Sequence, residues 1–220
     1  MSIREPSAND KYPGIHVKQM PRSALILAGG KGSRLGYREK ALLEIHGKPL
    51  ISYAIGAVEG IVDEVIISVR DKEQGELVRR HLPGYELAFD MYENMGPVAG
   101  ILAGLGVCRN EYCFVAACDM PFINPNVVEL LFEKCTGHGA SVPRWEDGFL
   151  EPLHAVYMRE PMILETERAI ERRETVILAP VLRLDVNFVD MDEIRRIDPG
   201  LKTFMNINTP EDMARIPGGS

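Results

Sequence analysis

No run of about 18 apolar residues occurs in this 220-residue chain, so the sequence offers no membrane-spanning helix. The first twenty residues (MSIREPSAND KYPGIHVKQM) lack a continuous apolar segment, which sets aside a secretory leader and makes the cytoplasm the expected compartment. Cysteine is scarce. Cys108, Cys113, Cys118 and Cys135 contain no C-x-x-C pair, so reduced, buried thiols are expected rather than disulfides or metal ligands. Cys113 and Cys118 are five apart, so on one strand they face opposite sides and cannot share an ion. The five histidines show no H-E-x-x-H or paired spacing, and no G-x-S-x-G elbow is present, which removes the usual zinc and serine-hydrolase sites. Positive charge is also short: 25 Lys and Arg against 32 Asp and Glu leave a net charge of −7 and no global basic field for duplex nucleic acid. Any anionic ligand must be held by cations gathered locally. No fixed-period repeat exists, which excludes solenoids and propellers.

What remains is a chain with 45% hydrophobic residues, enough for one core. Residues 1–20 are mixed and polar, a flexible extension ahead of one domain over 21–217. Beyond them, short apolar runs alternate with amphipathic stretches, the pattern of a parallel sheet with crossover helices. Strands are expected at Ala24–Ala28, Val65–Val69, Leu87–Phe89 and Cys113–Cys118, with helices at Leu50–Val58, Lys72–His81 and Pro97–Val107. The last of these carries glycines at 100, 104 and 106, which weaken it intrinsically, so it must pack closely against something. The second half is more mixed, with a helix at Val127–Cys135 and strands at Ala140–Trp145, Leu150–Tyr157, Asp185–Met191 and Thr203–Ile207. A helix is expected at Pro161–Arg173 and another from Pro210. The expected class is α/β, mostly parallel at first and mixed towards the C-terminus.

The strongest local signal is LAGGKGSRLG at 27–36, directly after a buried strand. Its glycines remove Cβ atoms where backbone N–H groups could turn around an anion. Lys31, Arg34, Arg38, Lys40 and Lys48 outnumber Glu39 and Glu44 nearby, a focused positive charge suited to a polyphosphate. A Walker loop is ruled out because no Gly-Lys-Ser/Thr follows the glycines, and the Gly30, Gly32, Gly36 spacing is one residue too long for a dinucleotide fingerprint. Asp119 ends a fully apolar strand, where a carboxylate faces the ligand crevice of a parallel sheet and suits Mg²⁺; a turn or N-cap role fits it equally. Asp90 is a weaker case of the same kind. Asn206 and Asn208 flank Ile207 on one expected strand face, while Thr209, Pro210 and Asp212 make an ordinary helix start. The acidic residues Asp185, Asp190, Asp192 and Glu193 are read as solvated surface.

Taken together, LILAGGKGSRLGYREKALLEIHGKPLI resembles the signature of the GT-A-like nucleotidyltransferases. GPVAGILAGL, CDMPFI, EPLHAVY and NINTPED are similar to the molybdenum cofactor guanylyltransferase (MobA) branch, and the likeness runs from about Ser23 to Arg215. The resemblance implies a three-layer, Rossmann-like fold and an enzyme that moves GMP from GTP onto the phosphate of molybdopterin, releasing pyrophosphate. It assigns Leu27, Ala28, Gly29 and Gly30 to the nucleotide turn and Lys40 to the phosphates, with Arg34 beside them. It assigns Asp119 to Mg²⁺, Asp90 and Gly96 to the guanine, and Asn208 to the triphosphate or the metal. Sugar nucleotidyltransferases usually carry Pro-Lys where this chain has Glu39-Lys40, which leans away from sugar phosphates. The acceptor is expected against the C-terminal half, lined by Arg144, Trp145 and His154. Implied partners are the two substrates and molybdenum-insertion and molybdoenzyme-maturation proteins, with the chain a monomer or weak homo-oligomer. Alternatives are a sibling transferring CMP to the same pterin or GMP to a corrinoid or phospholactate, and a nucleotide-binding module without turnover.

Overall fold

The structure, a computed structural model, describes residues 20–30 and 39–214. The expected extension at 1–20 therefore lies outside the described residues except for Met20, as does Arg34.

The apolar run after Pro21 forms β1 (Arg22–Leu27), buried over its four central residues as expected of a strand with helices on both faces. A short hairpin, β2 (Glu44–Ile45) and β3 (Lys48–Pro49), leads into α1 (Leu50–Val58). Then come β4 (Glu64–Val69), α2 (Lys72–His81), β5 (Glu86–Phe89), α3 (Pro97–Val107) and β6 (Tyr112–Ala117). The second half adds α4 (Pro125–Cys135), β7 (Ala140–Arg144), β8 (His154–Met158) and α5 (Arg159–Glu171). It closes with α6 (Leu178–Val181), β9 (Val186–Asp190), α7 (Met191–Arg195) and α8 (Pro210–Met213).

Seven strands form one sheet in the order β5-β4-β1-β6-β8-β7-β9. The first four are parallel, β8 runs antiparallel to both neighbours, and β9 is parallel to β7. The expected parallel half and mixed half are both present. The chain moves outward from β1 through β4 to β5, then returns to the other side of β1 as β6. That reversal makes the carboxyl ends of β1 and β6 a topological switch point, where α/β sheets bind ligands.

One face of the sheet packs residues of α1 and α4, including Ile51, Ile55, Val128 and Leu131, against Ile26, Ile67 and Phe114. The other packs α3 and α5, including Ile101, Leu105 and Met162, against Leu25, Ile66 and Val115. Cys113 belongs to the second cluster and Cys118 to the first, the opposite faces their spacing required, and all four cysteines are free and buried. The small-residue helix does pack closely. A Cβ built on Gly104 would lie 2.2 Å from Leu25 Cδ1, and one on Gly100 2.9 Å from Ser68 Oγ.

Two strand expectations fail. Leu150–Tyr157 is not continuous: Leu150 makes only a single bridge to Arg144, and β8 starts at His154. Pro152 has no N–H for a ladder, and His154 N–H turns back to Glu151 O at 3.1 Å. Thr203–Ile207 is a 3₁₀ turn (Lys202–Phe204) followed by extended chain outside the sheet. There side chains replace ladder partners: Thr203 N–H donates to Asp198 Oδ2 (2.8 Å), and Thr203 Oγ1 accepts from Asn124 N–H (3.0 Å).

Candidate active site

Ladder hydrogen bonds continue one residue past the strand ends and fix the rim. Ala28 N–H reaches Ser68 O (2.8 Å), Cys118 N–H reaches Leu27 O (3.1 Å), and Asp90 N–H reaches Val69 O (2.9 Å). A cleft of about 750 Å³ opens above that rim, bounded by Gly29 and Gly30, by Lys40, Asp119 and Asp90, and by Gly96 with Pro97 and Gly100 of α3. A Cβ on Gly30 would meet nothing within 4 Å, and one on Gly29 only Arg70 at 3.8 Å or beyond, among the described residues. Packing does not demand glycine at either position. Without a Cβ, both positions leave bare backbone open to the cleft.

Lys40 opens a 3₁₀ turn anchored by the fully buried Ala41. Its ammonium donates to Asp119 Oδ2 at 2.5 Å and to Asn208 Oδ1 at 2.9 Å. Lys40 and Asp119 keep only 13% and 18% of their side-chain surface exposed, so this pair is poorly screened by water. Asn208 reaches the pair because Ile207 N–H donates to Asp119 O (2.9 Å), which binds the C-terminal segment to the rim. Thr209 and Asp212 then close a capping box on α8, the helix start the sequence announces. Asn206 is exposed. The pairing of the two asparagines on one strand face falls with that strand.

On the opposite side, Asp90 accepts Tyr92 N–H at 2.8 Å, while partial burial holds its carboxyl above the ordinary range. Gly96, with φ 59° and ψ −142°, takes a conformation that other residues rarely adopt, and Pro97 starts α3 there. The helix N-terminus at the cleft favours negative charge.

The structure brings Leu27, Gly29, Gly30, Lys40, Asp90, Gly96 and Asp119 around one cleft, with Ala28 on its rim and Asn208 on Lys40. It does not bring Arg144, Trp145 and His154 there. Arg144 pairs with Asp190 (2.9 Å) and lies over Phe188; Trp145 donates to Glu151 Oε1 (2.8 Å). His154 is fully buried between Phe114 and Phe204, because β8 starts there and alternation turns it into the α1-side core. The acidic tract is surface, as expected, with each member partnered: Asp185 Oδ2 lies 3.0 Å from His138 Nδ1, and Asp190, Asp192 and Glu193 pair with Arg144, Arg195 and Lys134.

Burial lowers the His154 imidazole to a pKa of about 3. The unfolded chain then binds a proton that the folded one refuses, so stability is complete above about pH 6.5 and is lost as pH falls towards 3, with a slope of up to ~1.4 kcal/mol per pH unit. His154→Gln is expected to flatten that slope in urea denaturation between pH 4 and 6.5; an unchanged slope would contradict the neutral core assignment.

Sequence reasoning missed Arg70, Asp71 and Gln74. Arg70 and Asp71 line the cleft, and Arg70 Nε and Nη2 donate to Asp71 Oδ2 (2.7 Å) and Glu39 Oε1 (2.8 Å). These contacts, Glu39 first, raise the Arg70 pKa, and the Gln74 N–H and Arg70 together lower that of Asp71. The signal was present: Arg70-Asp71 follows the apolar strand β4 as Asp119 follows β6.

A family model described as MobA-like NTP transferase domain matches residues 24–184. A probable molybdenum cofactor guanylyltransferase from Methanosarcina mazei is 48% identical over 216 residues, covering 96% of each chain. Its counterpart from Methanosarcina acetivorans is 50% identical over 204 residues, covering 90% of each. The crystal structure of molybdopterin-guanine dinucleotide biosynthesis protein A from Archaeoglobus fulgidus superimposes with a TM-score of 0.75 at 34% identity, over 88% of this chain and 95% of that one.

Proposed function

The chain belongs to the MobA-like NTP transferase family, and from that premise we propose that it transfers GMP from GTP to the phosphate of molybdopterin, releasing pyrophosphate. The observation that carries this reading is the Lys40, Asp119 and Asn208 cluster at the switch point, facing the bare glycine backbone across the cleft. A phosphate oxygen of the acceptor attacks the α-phosphorus of GTP. A new P–O bond forms there, and the bond to the β-phosphate bridging oxygen breaks as pyrophosphate leaves. Such a displacement needs no protein nucleophile, only positioning and neutralisation of like charges.

The glycine amides and the N-terminus of α3 supply fixed dipoles, and the Lys40 ammonium supplies a mobile cation that trades its carboxylate for phosphate oxygens. Asp90 offers a carboxylate to the two N–H donors on the edge of guanine, an edge cytosine lacks. One carboxylate with one amide oxygen is the donor set Mg²⁺ uses when substrate phosphates and water complete its shell. Asp119 and Asn208 would hold that ion, which neutralises phosphate charge when bound. Arg34, outside the described residues, adds a further cation. No described helix is long and apolar enough to cross a membrane. In this reading the chain works in the cytoplasm as a monomer or weak homo-oligomer and passes its product to molybdenum-insertion and molybdoenzyme-maturation proteins.

The test is incubation of the protein with each of the four NTPs, Mg²⁺ and molybdopterin, followed by mass spectrometry. The molybdopterin guanine dinucleotide is expected from GTP alone. A cytosine dinucleotide would make this the cytidylyl sibling, and no dinucleotide with any NTP would overturn the reading.

A further inference from the structure

Gln74 is fully buried in the first turn of α2, yet its side-chain amide is nearly saturated with partners. Its Oε1 accepts Arg70 N–H at 2.7 Å; its Nε2 donates to Ala28 O at 2.9 Å and to Glu39 Oε2 at 2.5 Å. Ala28 immediately precedes the two cleft glycines, and Glu39 immediately precedes Lys40. One amide therefore fastens both flanks of the phosphate-binding stretch to the end of β4. The second oxygen of Glu39 is held by Arg70 at 2.8 Å, so this carboxylate is clamped from two sides. The Glu39-Lys40 dipeptide, which stands where sugar nucleotidyltransferases usually carry Pro-Lys, thereby acquires a physical reason. A proline could not accept these bonds.

We infer that Gln74 is a positioning residue for triphosphate binding: through Ala28 and Glu39 it sets the separation between the glycine amides and the Lys40 ammonium. The inference rests on the reading of these groups as a triphosphate site. Gln74 does not touch the reacting atoms. A buried amide in this place fixes geometry because leaving any of its polar atoms unpaired is costly, so the two flanks cannot drift apart independently.

The experiment compares the parent protein with Gln74→Glu, Gln74→Glu combined with Glu39→Gln, and Glu39→Ala, measuring the Kd for Mg·GTP by calorimetry, KM and kcat, and Tm. Gln74→Glu removes both donors and sets a carboxylate against that of Glu39. We expect Kd and KM for GTP to rise at least about tenfold while kcat changes less than about threefold, the signature of lost uniform binding. In the double variant the amide and the carboxylate have exchanged places, so one donor again meets one acceptor across the same contact. GTP affinity should then return to within about fivefold of the parent, short of full recovery because Ala28 O loses the Gln74 donor. Glu39→Ala, at a partly exposed position, should weaken GTP in the same direction even if Gln74→Glu fails to fold. A folded Gln74→Glu or Glu39→Ala protein with Kd within about twofold of the parent would overturn the inference, as would a double variant no better than the single one. A parent that does not bind Mg·GTP at all would instead overturn the triphosphate reading beneath it.

Discussion

Alanine at Lys40 or at Asp119 is expected to lower turnover by about 10²–10³ while leaving a folded protein, because one change removes a cation for the phosphates and the other the carboxylate proposed to hold the divalent ion. The two variants fail differently. Without Asp119, the Lys40 ammonium keeps Asn208 Oδ1 as its side-chain partner among the described residues; it stays available for phosphate, but the carboxylate suited to the divalent ion is gone. Without Lys40, the Asp119 carboxylate, 18% exposed in the parent, remains, and the phosphates lose that cation. Lys40→Arg is not expected to rescue, since a planar guanidinium fork cannot take the place of a compact ammonium between two oxygens 2.5 and 2.9 Å away. Pyrophosphate release under saturating GTP, with circular dichroism as the folding control, measures the effect. Turnover near the parent level in both variants would remove the assignment of this cluster to catalysis.

The largest effect on stability belongs to Gly104→Val. The added Cβ alone would sit 2.2, 2.4 and 2.8 Å from three carbons of Leu25, a fully buried residue of the interior strand β1, so side chain and helix must move apart. Overpacking of this kind costs about 1–3 kcal/mol, and the valine methyls place the expected loss at or beyond the upper end. Gly106→Ala, two residues on in the same helix, is the control. Its Cβ meets nothing within 4 Å, so the better helix propensity of alanine should raise stability by about 0.5–1 kcal/mol. Urea midpoints of the two variants should therefore move in opposite directions. Equal midpoints for Gly104→Val and the parent would contradict the close approach of α3 to the sheet.

That contrast also shows what was legible in the chain. Three glycines in one apolar helix announce a close neighbour, and the neighbour is there, but only the fold says that positions 100 and 104 need glycine while 106 does not. Strands with buried, uninterrupted apolar runs, β1, β4 and β6, are visible because a strand flanked by helices on both faces leaves no polar alternation to confuse the period. The residues that follow them inherit a predictable place, and hence Gly29 and Asp119 are found from sequence. Segments held by side chains are not visible in this way. The turn at 202–204 depends on Asp198, five residues before Thr203, and on Asn124, 79 residues before it. His154 was misplaced because its face depends on where β8 starts, a boundary displaced by Pro152. Gln74 escaped notice for a related reason: its role lies in three bonds to residues up to 46 positions away.

The site as a whole stands on the claim that the switch point between β1 and β6 receives a nucleoside triphosphate. A crystal structure with Mg²⁺ and a non-hydrolysable GTP analogue tests it most directly. The triphosphate should lie over Gly29 and Gly30 within hydrogen-bonding reach of Lys40, with the metal on Asp119 and the guanine towards Asp90. A triphosphate bound elsewhere, with Lys40 still paired to Asp119, would contradict it.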